Sequence, residues 1–327
     1  MVKKMNVAVT AAGSTNAISV IKALRCQSEF DVAIVGLDLN RRTHIAGSAF
    51  CDAFETVPPV AEEPAYIEAV LGITWEWKID LLIPILDAEL DVLARHRNRF
   101  DPRCCLLVSP HETIACCNDK EATIRFFLDN GIPTLPTVAV PDGTPVAGLL
   151  EEKGLRYPLI AKPRRGHGGR DVHVIMCEED LVLLRRVHDP LLQQMADGLE
   201  YSIDIFCEEG GRLRAAVPRV RLELRAGICY KGRTERDPAM VDQARRIAEG
   251  LRILGPANIQ CFRSADDVRF TEVNPRFSAG LPLTVAAGVN TPLMALRLAA
   301  GRSVGAAMEF EIVTMCRYWQ EVFYHEY

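Results

Sequence analysis

The 327 residues include 38 Lys and Arg against 43 Asp and Glu, a formal net charge of −5, and 49% are apolar. This length favours two or three domains, and the composition suits a packed core rather than a disordered chain. The negative balance argues against a nucleic-acid-coating protein, which needs a basic surface, and leaves room only for a local basic pocket.

In chain order, "MNVAVTAAGSTNAISVIKALR" reads as a strand, a glycine-containing turn and an amphipathic helix. "DVAIVGLDLN" is a second strand that ends in Asp38, and "IDLLIPILD" and "RCCLLVS" are two further apolar runs of strand length. Helical patterns lie between them, around 64–72 and 88–99. Alternating strands and helices with nearly continuous apolar strands predict a parallel sheet covered on both faces, a doubly wound domain over 1–118. The first turn, Ala11-Ala12-Gly13-Ser14-Thr15-Asn16, has one glycine where the dinucleotide fingerprint wants three. We read it as a tight strand-to-helix turn capped by Ser14 or Asn16. Asp38 fits a ribose-binding acid only loosely.

Beyond 119 the texture changes. "NDKEATIRFFLDNGIPTLPT" is a helix with a polar start and an Asn130-Gly131 stop. "YPLIAKPRRGHGGRDVHVI" shows two strand-like runs joined by a basic glycine-rich loop, and "DPLLQQMADGLEYSIDIFC" two more around a turn at Gly198. A helix over 237–252, the strands "NIQCFR" and "VRFTEVN", and small-residue helices complete the chain. Strands grouped apart from helices predict an α+β second half, divided at 119–192 and 193–327. The eleven cysteines are odd in number and lack Cys-x-x-Cys, so reduced thiols in a cytoplasmic protein are expected. Neither a signal h-region nor an uninterrupted apolar run of membrane-spanning length is present in the sequence.

Three constellations could carry chemistry. Lys162 ends a strand and feeds a loop with three glycines, Arg164, Arg165, His167 and Arg170. Glycines let backbone N–H groups approach phosphate oxygens while cations neutralise them. The plain alternative is a solvated hairpin. In "RFTEVNPRFSAG", Glu272 and Asn274 alternate along a strand and Arg276 follows Pro275. If "NIQCFR" and "VRFTEVN" pair through a three-residue loop at 265–267, opposed numbers sum to 532: Arg263 faces Arg269, Phe262 faces Phe270 and Gln260 faces Glu272. Three oxygen-bearing side chains on one face would then suit a hard divalent cation; the alternative is the polar outer face of an edge hairpin, which rarely needs an amide–acid–amide–Arg set. Gln193, Met195, Ala196 and Glu200 form the third group; taken alone they fit a plain hairpin.

In this order, the pieces resemble the ATP-grasp superfamily, most closely the branch of the carbamoyl phosphate synthetase large subunit. The resemblance implies a doubly wound pre-domain followed by a two-subdomain ATP-grasp fold. It implies ATP phosphates held by Lys120 and Lys162, with the loop of Arg164, Gly168 and Gly169 closing over them. Adenine would be framed by Gln193 and by the backbone of Met195 and Ala196, and ribose held by Glu200. Gln260, Glu272 and Asn274 would carry Mg²⁺, with Mn²⁺ as an alternative, while Arg276 and Lys162 would act in phosphoryl transfer. Gln stands at 193 and at 260 where many relatives have acids.

The expected function is an ATP-dependent carboxylate–amine ligase forming a C–N bond through an acyl phosphate, with small-molecule substrates, no nucleic-acid or membrane partner, and a homodimeric assembly. Arg219 and Lys231, within a cationic stretch at 219–233, are the expected substrate residues. The chain lacks the second half of that large subunit, so carbamoyl phosphate synthesis by itself is not expected. The alternatives are an ATP-dependent kinase or carboxylase-like phosphotransferase, and a non-catalytic nucleotide-binding protein.

Overall fold

The structure, a computed structural model, describes residues 2–141, 143–166, 168–265 and 267–325. The loop residue His167 and the hairpin residue Asp266 therefore lie outside the described residues. The first sheet is built from β1 (Lys3–Val9), β2 (Phe30–Asp38), β3 (Ala53–Thr56), β4 (Leu81–Ile83) and β5 (Cys105–Leu106), all parallel, in the order β3-β2-β1-β4-β5. Helices α1 (Thr15–Arg25), α2 (Glu63–Glu76), α3 (Asp87–Arg95) and α4 (His111–Cys117) accompany them. Met5, Val7, Val9, Ile34, Leu81 and Ile83 are wholly buried, as expected for strands covered on both faces. Sequence periodicity missed β3, whose four residues are only half covered.

The first turn is closed to a dinucleotide. Ser14 caps α1 by accepting from the Ala17 N–H at 3.1 Å. The Asp38 carboxylate accepts from the Gly13 N–H at 2.9 Å and from Asn40, so it stiffens its own turn. The segment 42–50 fills the space above: a Cβ on Gly47 would sit 1.7 Å from the Ala12 carbonyl oxygen.

After α5 (Lys120–Asp129), the chain forms β6 (Thr137–Ala139), α6 (Val146–Lys153), β7 (Leu159–Pro163), β8 (His173–Ile175) and β9 (Pro190–Gln194). These strands make a four-stranded antiparallel sheet in the order β6-β9-β7-β8. The expected division at 192/193 cuts through β9. The plain hairpin expected around Gly198 does not form, because β10 (Leu199–Glu208) joins a different sheet. Gly198, at φ +95°, makes this change of sheet possible; a Cβ there would lie 2.2 Å from the Arg263 carbonyl oxygen.

The third sheet has β11 (Arg212–Arg225), β12 (Ile228–Thr234), β13 (Gly255–Arg263), β14 (Val268–Asn274) and β15 (Thr314–Cys316) around β10, in the order β14-β13-β10-β11-β12-β15. Helix α7 (Pro238–Gly250) packs beneath it, and α8 (Leu281–Ala286) and α9 (Thr291–Ala299) face the first domain. Val7, Val9 and Ile21 share a core with Phe206, Phe277 and Leu296, which fixes the first domain against this sheet. All eleven cysteines are free thiols, and no helix among the described residues is long and apolar enough to cross a membrane.

The β13–β14 register corrects the simple sum in one half of the hairpin. Phe262 pairs with Arg269 and Arg263 with Val268, one residue earlier than expected. A bulge around Thr271 absorbs the extra residue, so Gln260 pairs with Glu272 and Asn258 with Asn274.

Candidate active site

A cavity of about 560 Å³ opens between the three sheets. Its floor is the polar face of the third sheet, and the register orders it in rows. Glu272 pairs with Gln260, Gln260 with Ser202 and Ser202 with Arg219, so one row crosses four strands. A second row runs Asn274–Asn258–Asp204. The period-2 alternation that flagged Glu272 and Asn274 therefore extends to Glu200–Ser202–Asp204 and Asn258–Gln260 on neighbouring strands. Ser202, Asp204 and Asn258 escaped sequence reasoning because a single polar residue in a strand carries little signal. The same alternation, followed two residues back from Gln260 and two and four residues on from Glu200, finds them.

Glu272 and Gln260 face the cavity, and neither side chain has a hydrogen bond or ion pair among the described residues. The Asn274 Oδ1 accepts from Arg276 Nη2 at 3.1 Å. Arg276 is held by Asp87 at the start of α3, through Nε at 2.8 Å and Nη2 at 3.1 Å. A residue of the first domain thus orients a guanidinium from beyond β14. Pro275 gives the signal that the strand ends; nothing local in the sequence gives its partner.

Two lysines approach from the opposite wall. Lys162, at the end of β7, donates from Nζ to Gln193 Oε1 at 2.8 Å, and Lys120 at the start of α5 donates to the Gly166 carbonyl at 2.7 Å. Burial pushes the Lys162 pKa down to about 8; the Glu272 carboxylate opposes the shift and the Lys120 charge adds to it. Gly168 and Gly169 line the cavity at φ +70° and +69°, the left-handed region that their lack of Cβ permits.

Several expected contacts come out differently. Arg164 does not line the cavity: Asp119 holds its Nε and Nη2 at 2.6–2.9 Å and Glu121 lies 2.6 Å from its Nη1. With its main-chain oxygen also bound to the Lys120 N–H at 3.1 Å, Arg164 fastens the root of the loop to α5. The Gln193 carbonyl, expected to accept from adenine, already accepts from Lys162, and its amide donates to Thr137 Oγ1 at 2.7 Å. Met195 and Ala196 do not line the cavity, and the Met195 N–H is bound to the Pro158 carbonyl at 3.3 Å. Glu200 does line it but is paired with Arg221; burial raises its pKa against the pull of that guanidinium.

The cationic stretch is mostly surface pairing. Lys231 lies outside the cavity and binds Glu223 at 2.7 Å, while Arg233 pairs with Glu235. Arg225 stacks 3.6 Å from the Tyr230 ring centroid. Only Arg219 and Arg221, two apart on β11, turn toward the cavity. Among the described residues, no group of three or more His, Cys, Asp or Glu could hold a metal, so an oxygen-donor set here rests on one carboxylate and amides.

The chain is similar to known proteins over most of its length. Residues 186–322 match a model described as "ATP-grasp in the biosynthetic pathway with Ter operon", and residues 7–107 match the "PylC-like, N-terminal domain". Over 186–322 this chain therefore resembles an ATP-grasp domain. It is 24% identical to the carbamoyl phosphate synthase large chain of Methanosarcina mazei over 280 residues, 77% of this chain and 25% of that one. It is 28% identical to that of Lachnoclostridium phytofermentans over 160 residues, 43% of this chain and 15% of the relative. The chain thus spans a quarter or less of the length of these two curated relatives.

Solved structures share the ATP-grasp fold. The Staphylococcus aureus N5-carboxyaminoimidazole synthetase complexed with ADP superposes with a TM-score of 0.76 at 15% identity, covering 94% of this chain and 80% of that one. The Bacillus licheniformis L-amino acid ligase gives 0.69 at 19% identity, covering 91% and 74%. The parallel first sheet followed by two antiparallel sheets is the pre-domain and ATP-grasp arrangement expected from the sequence.

Proposed function

We propose that this ATP-grasp protein is an ATP-dependent carboxylate–amine ligase. The observation that carries the reading is the unpartnered Glu272–Gln260 pair facing Lys162 and Lys120 across the cavity, beside the oriented Arg276. Lysines, glycine N–H groups and a guanidinium converging on one space suit a polyphosphate, and the free carboxylate and carboxamide suit the cation that accompanies it.

The donor set fits Mg²⁺, with Mn²⁺ as an alternative: Glu272 and Gln260 have free oxygens, and Asn274 Oδ1 keeps a lone pair beyond its bond to Arg276. When bound, the ion neutralises phosphate charge. Lys120 and Lys162 hold the phosphates, and Arg276 meets the charge that develops during transfer. An oxygen of the substrate carboxylate attacks the γ-phosphorus, and the bond to the β–γ bridging oxygen breaks, releasing ADP. The amine nitrogen then attacks the acyl phosphate carbon, phosphate leaves with the bonding pair, and the amine loses a proton. Activation is needed because a carboxylate is a poor electrophile until one oxygen becomes part of a leaving group. Adenine recognition through Gln193 requires the carboxamide to share its carbonyl with Lys162.

The test is ADP release across a panel of paired acids and amines with Mg²⁺. Release that requires both partners is expected. Release that ignores every amine would favour a phosphotransferase, and tight ATP binding without turnover in any pair would favour a nucleotide-binding protein.

Lys162 also gives the site a pH signature. Its folded pKa lies below the ordinary lysine value of 10.5, at about 8. Between those values the unfolded chain keeps a proton that the folded chain has lost. Stability from this group therefore rises with pH across that window, whereas phosphate binding needs the charged form and weakens. The Kd for Mg–ADP, titrated from pH 7 to 9.5, is expected to rise through about pH 8. In Lys162→Gln the affinity should be lower throughout and the profile flatter.

A further inference from the structure

Arg219 is the largest fully buried side chain among the described residues, 1% exposed, and it stands at the end of the cavity row farthest from Glu272. Its guanidinium is held by one edge. Nη2 donates to Asp204 Oδ1 at 2.5 Å and to Ser278 Oγ at 3.0 Å. Asp204 is itself fixed, accepting from Asn258 Nδ2 at 3.0 Å and from Thr284 Oγ1 at 2.6 Å. Nε is buried without a partner, and no bond forms through Nη1 among the described residues. An aspartate so fully bonded is a holder for the arginine. The arginine retains donor capacity in a place where burying an unused donor is costly.

Gly280 permits this pose. A Cβ on Gly280 would lie 1.9 Å from Arg219 Nη1, so the guanidinium rests against bare backbone. Local charge is also uneven. Asp204 and Glu200 pair with Arg219 and Arg221, but among the described residues Arg317 binds only main-chain carbonyls, those of Cys229 at 2.9 Å and of Ala279. Cys229 and Ala279 line the cavity next to Gly280. Three guanidinia thus meet two carboxylates around this end of the site, leaving one positive charge without an acidic partner. From the first domain, Asn16 completes the wall, tied to the Phe277 carbonyl at 3.1 Å.

Resting on the ligase reading, we propose that Arg219 anchors a carboxylate that survives the reaction, carried by the acid or by the amine in addition to the reacting group. Arg219 stands two strands from Gln260, about 10 Å at the usual strand spacing, and side chains reaching inward from both ends shorten that gap. A small dicarboxylic acid or an amino acid spans it. An aliphatic monoacid joined to a simple amine leaves the Arg219 end empty.

The experiment uses the full chain with Mg–ADP bound. Binding of succinate, glutarate, aspartate and glutamate is measured by calorimetry, against butyrate and propylamine, for the wild type and for Arg219→Lys. The lysine keeps a positive charge beside Asp204, and unchanged Mg–ADP affinity in the variant reports a folded site. At least one carboxylate probe is expected to bind the wild type and to weaken at least tenfold in Arg219→Lys. Dicarboxylates without the amine locate the anion on the acid, whereas preference for amino acids over their carboxamides locates it on the amine. Equal affinity in wild type and variant, or binding of butyrate as tight as that of the dicarboxylates, overturns the proposal. Gly280→Ala gives a second reading, since it pushes the guanidinium away while leaving Arg219 in place; it should weaken the same probe. ADP release from a monoacid and a plain amine, unaffected by Arg219→Lys, would remove the subsite and leave the ligase standing. Arg219-dependent carboxylate binding without ADP release in any pair would do the reverse.

Discussion

Glu272→Gln is expected to lower ATP-dependent ADP release by about 10²–10³-fold, the scale seen when one preorganised electrostatic partner of a transition state is removed. The effect should be this large because Glu272 is the only carboxylate in the Gln260–Glu272–Asn274 set, with no acidic cluster among the described residues to replace it. Gln in its place keeps the shape and removes the charge. Stability should hardly change, since Glu272 makes no hydrogen bond or ion pair among the described residues. The Mg²⁺ dependence of the residual rate should shift to higher concentration. Gln260→Glu is the complementary change: a second carboxylate opposite the first should shift that dependence to lower concentration. Activity of Glu272→Gln within a few-fold of wild type at low millimolar Mg²⁺ would rule out the assigned role.

Asp204→Ala is expected to be the most destabilising single change at the site, about 3–5 kcal/mol, because it breaks a buried ion pair by removing one partner. Asp204 is 5% exposed and Arg219 1%, so solvent cannot replace the lost carboxylate. The Asn258 amide and Thr284 hydroxyl lose their acceptor in the same step. The midpoint of thermal unfolding should fall by roughly 10 °C. Arg276–Asp87 offers an internal comparison: its side chains are 17% and 16% exposed, so Asp87→Ala should cost clearly less stability. An Asp204→Ala midpoint within 2 °C of wild type would show that water or Ser278 takes over the arginine.

Much of the architecture is legible in the sequence. The apolar runs at 79–87 and 103–109 became β4 and β5 with their flanking loops, because a strand covered on both faces must be apolar at every position. Asp119 became the cap of α5, accepting from the Glu121 and Ala122 N–H groups at 3.1 Å, because capping needs only residues within one turn. β3 was missed because its short, half-covered run carries no pattern. The fate of β9 and β10 was missed because a glycine turn between two strands signals a hairpin, and only the close approach of Gly198 to Arg263 separates them.

The sequence by itself determined which residue types share a face. Alternation along a strand is a local property of the backbone, so Glu272 and Asn274, Gln260, and Arg219 with Arg221 point into the cavity once their strands exist. The tertiary structure decided what each charged group is paired with, because those partners lie far off in the chain. Asp87 reaches Arg276 across 189 residues, Asp119 takes Arg164 across 45 and Lys162 takes Gln193 across 31. Coulomb energy and desolvation depend on distances that only the packed fold sets. That is why Arg164 left the phosphate set, Lys231 left the substrate set, and Arg219 became a guanidinium gripped on one edge and open on the other.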